Sequence, residues 1–355
     1  MAQTKNMRGG VTISVVDFFC GCGGTSAGLK AAGMNVLAGI DIDAVALDTF
    51  KRNFRGAMVL KEDISELTCS SLGEKLGVIE RPLLFAACAP CQPFSKQNRY
   101  KSKSDRRVVL LDEFHKFVEE FLPEYVILEN VPGMQRVKKG PFTRFTRVLK
   151  RLGYDFDYDV KDAKTYGVPQ SRRRLVLIAS RLGPINLPAD THGDGLIDYT
   201  TVWDAIGEYH PLQAGQSSSK IANHKAAQIS ELNLKRLKHT PEGGDRRDWP
   251  QHLVLDCHVN KSGYTDTYGR LKRDEPAKTL TTKCISISNG RFGHPTQHRG
   301  LTVREAAALQ TFPNDFVFEG TLIQTARQVG NAVPVLVAKV LGEQVLAHYK
   351  HSSDG

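Results

Sequence analysis

Cys91 stands between two prolines in the run Ala87-Cys88-Ala89-Pro90-Cys91-Gln92-Pro93-Phe94-Ser95. Proline on both sides fixes the local backbone and holds the thiol outside regular structure. A buried structural cysteine is the commoner fate of a free thiol. A thiol at the mouth of a site is the chemically active alternative, because a thiolate is a good nucleophile. Glu129, in Tyr125-Val-Ile-Leu-Glu-Asn-Val, ends another apolar run. A thiol that attacks and a carboxyl that donates or accepts a proton make a workable pair. Taken alone, that glutamate reads equally as a helix cap or a solvated turn. Cys20-x-Cys22 and Cys88-x-x-Cys91 also permit a redox or zinc reading. The CxC spacing is poor for zinc, and that reading leaves Pro-Cys-Gln-Pro-Phe-Ser unexplained. We expect no metal and no role for Cys88, whose replacement by Ala should leave activity largely intact.

These residues need a scaffold that brings them together. Asp17-Phe-Phe-Cys-Gly-Cys-Gly-Gly follows an apolar, β-branched run and precedes a helical stretch from Ser26 to Ala32. Strand, glycine-rich turn and helix is how doubly wound sheets approach a nucleotide-like cofactor, and the turn alone does not say which one. Strands are expected at Ile13–Asp17, Asn35–Asp41, Ala57–Leu60, Leu83–Ala89 and Tyr125–Glu129. Amphipathic helical patterns lie between and after them: Leu47, Phe50 and Phe54 behind a cap at Asp43; Phe114, Phe117, Val118 and Phe121; Phe142, Phe145, Leu149 and Leu152. The alternation predicts a parallel α/β sheet with ligands at the carboxyl ends of its strands. Glu129 and Cys91 would then emerge at one edge. The stretch 190–250 is polar and weakly periodic. His252–Val259 and Thr279–Ser288 read as strands of a second, irregular, mixed-β unit. Thr302 and Glu305 form a capping box, and a last helix follows Pro334 with Val337, Val340, Leu341 and Val345 on one side.

The chain has 355 residues, 41% hydrophobic and 24% charged, with a formal net charge of +10 and seven cysteines. That length allows two domains. No apolar run approaches the roughly 20 residues of a membrane span. The N-terminus lacks the apolar segment of a secretory signal, and the odd cysteine count argues for a reducing compartment. A cytoplasmic location is expected. The excess of positive charge suits a polyanionic partner.

Phe19-x-Gly21-x-Gly23-Gly24, Pro90-Cys91-Gln92, Glu129-Asn130-Val131, Gln170-x-Arg172-x-Arg174, the segment Arg299–Pro313 and Gly330-Asn331-Ala332-Val333-Pro334 occur in this order. Together they resemble the DNA (cytosine-5)-methyltransferase family of bacterial or phage restriction-modification systems. The blocks span residues 13–337 and leave only about 188–270 without a family signal. The resemblance implies a Rossmann-like, S-adenosylmethionine-dependent methyltransferase domain over 1–187, a smaller target-recognition domain over 188–324 that ends in the helix block 299–318, and a C-terminal helix, 325–355, returning to the catalytic domain. Position 18 is usually aliphatic and position 20 usually small in the family. Here they are Phe18 and Cys20, changes compatible with packing.

The resemblance implies that Phe19 lies against the cofactor's adenine and that Gly21, Cys22 and Gly24 admit its methionine part. Asp41 would take the ribose hydroxyls with Ile42 beside it, and Asp43, the rival, fits a helix cap better. Asp63 and Ile64 would address the adenine, while Pro90, Leu110, Asn331 and Val333 line the pocket. Cys91 would add to C6 of a flipped cytosine, Glu129 would serve N3, Arg174 would hold the base carbonyl and Arg172 would support the site; Gln170 would stand behind them. The basic loop after the nucleophile, with Gln92, Ser95, Arg99 and Arg107, would contact DNA, and Asp105 belongs to the same block. Lys235, Arg236, Lys238, Arg246, Arg247, Lys261 and Arg291 are further candidates for base or phosphate contact, although each taken singly reads as a solvated surface charge. Double-stranded DNA is the expected partner of a monomer. A restriction endonuclease acting on the same site, without binding this chain, is also expected. The alternatives are a tRNA cytosine-5 methyltransferase, a non-catalytic DNA-binding relative, and a nicotinamide-dependent redox enzyme.

Overall fold

The structure is a computed structural model that describes residues 12–89, 110–259 and 265–353. Cys91, together with Pro90, Gln92, Ser95, Arg99, Asp105, Arg107 and Lys261, lies outside the described residues.

Strands β1 (Ser14–Phe18), β2 (Asn35–Asp41), β3 (Met58–Lys61), β4 (Leu83–Ala87) and β5 (Tyr125–Asn130) fall within a residue or two of the expected positions. They alternate with helices α1 (Gly24–Ala31), α2 (Ala44–Asn53), α3 (Cys69–Leu76) and α4 (Leu110–Phe121). The strands are apolar on both faces because helices cover both sides of the sheet; β1, β4 and β5 are buried throughout. Helix α5 (Pro141–Arg151) buries Phe142, Phe145 and Leu149.

The expectation of a parallel sheet is corrected at one end. Two further strands, β6 (Asp155–Asp162) and β7 (Arg173–Ser180), complete a seven-stranded sheet of order β3-β2-β1-β4-β5-β7-β6. Strand β7 runs antiparallel to β5 and to β6. Reversal needs only a short connection, since β6 and β7 form a hairpin through residues 163–172 rather than a helical crossover.

The expected strands at His252–Val259 and Thr279–Ser288 are not formed. The first contains two single-turn 3-10 segments, Gln251–Leu253 and Asp256–His258. The second folds into turns, with Cys284 donating to the Thr281 carbonyl and Ser286 to that of Lys283. Leu280, Cys284 and Ile285 are buried there, in one apolar cluster with Phe50, Phe312, Phe316 and Val329, and Ile287 is buried beside them in the chain. Apolar residues at these positions serve packing against helices, and among the described residues no neighbouring strand offers a ladder. The only β structure described after β7 is isolated bridges.

The region is held by buried arginines instead. Arg270 donates to the carbonyls of Thr240, His294, Gln297 and Leu237. Arg304 donates to those of Ala222, Pro313 and Phe316. Each guanidinium satisfies backbone acceptors that a strand ladder would otherwise have paired.

Helix α6 (Val202–Ile206) and α7 (Glu231–Lys238) lie in this region. The expected capping box at Thr302 and Glu305 is present at the start of α8 (Val303–Leu309). Helices α9 (Leu322–Asn331) and α10 (Val335–Ser353) follow. Leu322–Ser353 has the length and hydropathy of a membrane span. It is instead a core element: α10 buries Val337, Leu341 and Val345 and lies against α1.

Candidate active site

The carboxyl ends of β1 to β5 lie along one edge of the sheet, and antiparallel β7 starts at that same edge. Phe19, Asp41, Ile42, Asp63, Cys88, Glu129 and Arg174 therefore converge from six strands.

Around the glycine turn, Phe18 packs into the core, with ring centroids 5.0 Å from both Phe85 and Phe114. The aromatic at this position is thus accommodated by edge contacts. Phe19 takes a left-handed φ of 57°, and Gly21 one of 53° with open space where a side chain would stand. The absent side chain of Gly24 serves packing: a Cβ there would lie 2.5 Å from the Val333 carbonyl oxygen. Cys22 is buried with its thiol toward the Gln328 carbonyl, and burial pushes that thiol up to about 12.

Asp41 accepts from the Gly21 amide at Oδ2 and from the Asp43 amide at Oδ1, both at 2.8 Å. Burial raises its pKa, opposed by those two amides. The turn and the end of β2 are thereby locked to one carboxyl, whose remaining lone pairs are left for a ligand. Ile42 beside it is 64% exposed, an apolar surface offered to solvent. Asp43 is committed elsewhere: Oδ1 caps α2 through Val45 and Ala46, and Oδ2 pairs with Arg327 at 2.9 Å. Asp63 accepts from the Ser65 amide and hydroxyl. Ile64 is buried in the core cluster of Leu60 and Leu67, and Leu110 is half-buried against the same cluster. Asn331 is exposed, whereas Val333 is buried.

Glu129 is 6% exposed at the end of β5. Its Oε2 accepts the Cys88 thiol at 2.9 Å. Its Oε1 lies 3.1 Å from Arg174 Nε, yet accepts no hydrogen bond among the described residues. Arg174 reaches Glu129 along the sheet because Val176, two residues on, is directly opposite it. A narrow cavity beside this pair is lined by Lys161, Tyr166, Arg172 and Val333. Arg172, expected to support the site, donates to the carbonyls of Leu280 and Gly330. Gln170 bonds to Gln310 and to the Leu280 amide. These two residues tie the β6–β7 connection to α8 and α9.

Three contacts were missed by sequence reasoning. Cys88 touches Glu129. Asn130 donates to the Ala89 carbonyl at 3.2 Å and so holds the chain where it leaves β4. Asp17 is fully buried beneath the turn, with Oδ2 bonded to Ser26 and Oδ1 without a hydrogen bond among the described residues. Burial pushes the Asp17 carboxyl up to about 7. A buried acid ending an apolar strand at a glycine turn was the available signal.

Of the basic candidates after residue 188, Lys235 and Lys238 are exposed. Arg247 is exposed and forks onto Asp245. Arg236 is buried, donates to the Leu253 carbonyl and faces the Trp249 ring. Arg246 is buried against Thr267, and Arg291 holds Asp266 and the Gly243 and Gly244 carbonyls. Arg236, Arg246 and Arg291 are therefore structural, which corrects their reading as contacts.

Residues 13–347 match the family model described as C-5 cytosine-specific DNA methylase. The chain is 38% identical over 339 residues to the type II methylase M.HgiDII of Herpetosiphon aurantiacus, covering 94% of each chain. It is 35% identical to the type II methyltransferase M1.HphI of Haemophilus parahaemolyticus, covering 95% of this chain and 87% of that one. Among solved structures, one described as a DNA modification methyltransferase from an E. coli prophage has a TM-score of 0.75 at 24% identity, covering 96% of this chain and 100% of that one. That likeness is one of fold.

Proposed function

Because the chain belongs to the C-5 cytosine-specific DNA methylase family, we propose that it transfers a methyl group from S-adenosylmethionine to C5 of a cytosine within a specific double-stranded DNA sequence. The observation that carries this reading is Glu129: a buried carboxyl with one oxygen held by Cys88 and the other, beside Arg174, without a hydrogen bond among the described residues.

The residues at the glycine turn fit the cofactor. Asp41 offers lone pairs to ribose hydroxyls, Ile42 and Phe19 offer apolar surface to adenine, and the open space at Gly21 admits the methionine part. Asp17 Oδ1 is a buried acceptor suited to an ammonium group. Asp63, Ile64, Leu110, Asn331 and Val333 complete the pocket. S-adenosylmethionine supplies an electrophilic methyl group on a sulfonium.

Cytosine C5 is a poor nucleophile. Addition of the Cys91 thiolate to C6 forms an S–C6 bond and makes C5 enamine-like, able to accept a methyl group. Glu129 gives N3 the hydrogen bond or proton that favours the addition, and Arg174 holds the base carbonyl. Arg172 keeps this edge joined to Leu280 and Gly330. Loss of the C5 proton to a base then expels Cys91. The target base must leave the duplex stack, since neither of its faces is exposed within it. The loop with Gln92, Ser95, Arg99 and Arg107 contacts the DNA around it, and the arginine-held region reads the flanking bases. The enzyme works as a cytoplasmic monomer and marks the site of an endonuclease that does not bind it.

The family match is to a DNA methylase, which favours DNA over tRNA. The test is methyl transfer from labelled cofactor, with methylated cytosines mapped by bisulfite sequencing. Cys91→Ser should abolish transfer while cofactor binding persists, because a hydroxyl is a far weaker nucleophile than a thiolate. Retained turnover in that variant rejects the mechanism, and methylation of tRNA alone rejects the substrate.

A further inference from the structure

The mechanism uses Glu129 but leaves Cys88 unexplained. Cys88 follows β4, and its amide still donates to the Phe18 carbonyl at 3.4 Å, so the residue continues the line of the sheet. The register pairs Ala87 with Leu128, which puts Cys88 beside Glu129. The two side chains are thus fixed by adjacent strands. The thiol is half-buried against the cluster that contains Leu84, Ile127 and Val333. Its sulfur lies 2.9 Å from Oε2 of Glu129.

We propose that Cys88 is a positioning residue for the methyl-transfer reaction: its S–H holds Oε2 of Glu129 and thereby directs the carboxyl's working oxygen, Oε1, at the base. The inference rests on the reading of Glu129 as the group that serves N3. A carboxyl carries two oxygens of equal basicity, and a proton on the wrong one cannot reach the substrate. A donor bonds a carbonyl-type oxygen more strongly than a hydroxyl oxygen, so the thiol on Oε2 favours the form in which that oxygen carries no proton. When Glu129 is protonated, its hydrogen therefore resides on Oε1, the oxygen with no hydrogen bond among the described residues. Arg174 Nε, 3.1 Å from Oε1, marks the same side. Cys88 forms no bond to substrate and changes no oxidation state.

Three variants of the full chain test this: Cys88→Ala, Cys88→Ser and Glu129→Gln, each measured for single-turnover methyl transfer, for KM of DNA and of cofactor, and for thermal unfolding. Serine keeps the donor and alanine removes it. Loss of one donor to a charged acceptor predicts that Cys88→Ala slows turnover about tenfold, with both KM values within about twofold of wild type. Cys88→Ser should recover most of the rate, and Glu129→Gln should be nearly inactive. Wild-type turnover in Cys88→Ala beside an inactive Glu129→Gln overturns the inference and leaves the reading of the site standing. Equal damage from Ala and Ser also overturns it, because packing rather than donation would then explain the effect. An active Glu129→Gln overturns the reading beneath both. Should Cys88→Ala not fold, the Ser variant decides: a rate more than about tenfold below wild type refutes a role that any hydroxyl donor should fill.

Discussion

Replacing Asp41 by Asn separates the acceptor role of this carboxyl from its place in the fold. Asp41 holds two amides, those of Gly21 and Asp43, one on each oxygen at 2.8 Å. Asparagine keeps one oxygen and turns an NH2 toward the other amide. One charge-assisted bond is lost, together with the negative charge that favours a ligand hydroxyl. Hydrogen bonds to charged groups contribute about 1.5–3 kcal/mol, so cofactor affinity should fall by about 10- to 150-fold. The effect should be confined to the cofactor, with the KM for DNA changing by less than about twofold, since distant sites act independently. Asp43→Asn is the control. Asparagine caps a helix as well as aspartate, and the exposed pair with Arg327 contributes at most about 1 kcal/mol. That variant should bind cofactor normally. Equilibrium dialysis with radiolabelled S-adenosylmethionine measures both. Wild-type affinity in Asp41→Asn, or a loss confined to Asp43→Asn, refutes the assignment of the ribose hydroxyls to Asp41.

Glu305 is buried and takes both Nη atoms of Arg299, at 2.6 and 2.8 Å, so Glu305→Gln should cost about 3–5 kcal/mol of stability in chemical denaturation. Acid should destabilise the same region. Burial holds His294 down at about 4 against an ordinary 6.5, so the unfolded chain takes the proton first, and about 3 kcal/mol is lost as pH falls from 6.5 to 4. Burial pushes the Glu305 carboxyl up, but the Arg299 fork outweighs it and leaves the pKa below the ordinary value, so its protonation adds to the loss at still lower pH; unfolding midpoints between pH 7 and 4 check the sign. Lys235→Ala with Lys238→Ala should weaken binding to all DNA sequences and lower the logarithmic salt slope by about 2, whereas Arg236→Ala should unfold its surroundings. Exchange of residues 188–298 for the matching segment of a relative should transfer that relative's target sequence, read by bisulfite sequencing, while leaving cofactor affinity unchanged. An unchanged target would move recognition elsewhere.

The parallel half of the sheet was legible because each strand is a short apolar run ended by a chemically distinctive residue: Asp17, Asp41, Glu129. The antiparallel end was not. Leu175–Ala179 is an apolar run of the same kind as Leu83–Ala87, yet it was not among the expected strands, and a sequence carries no mark of strand direction. Strand β6, half exposed at the sheet edge, alternates Asp-Phe-Asp-Tyr-Asp-Val without a long apolar stretch. The false strand at 279–288 arose because apolar, β-branched residues bury themselves equally well in turns, whereas at 252–259 only Leu253 is buried and Val259 is exposed. Caps were readable wherever they are local, as at Asp43 and Thr302. The Glu129 contacts with Cys88 and Arg174 were not, since strand pairing alone makes neighbours of residues 41 and 45 positions apart.

The arginine-held region has a consequence for how such a protein can diverge. In a sheet, one inserted residue shifts every later side chain to the opposite face. Loops pinned at points by Arg270 and Arg304 transmit no such shift. A segment between two pins can lengthen at a small cost in loop entropy, while each guanidinium keeps its carbonyls. The surface we propose to meet DNA is thereby free to acquire new outlines by insertion and deletion, and the carboxyl edge of the sheet does not record the change.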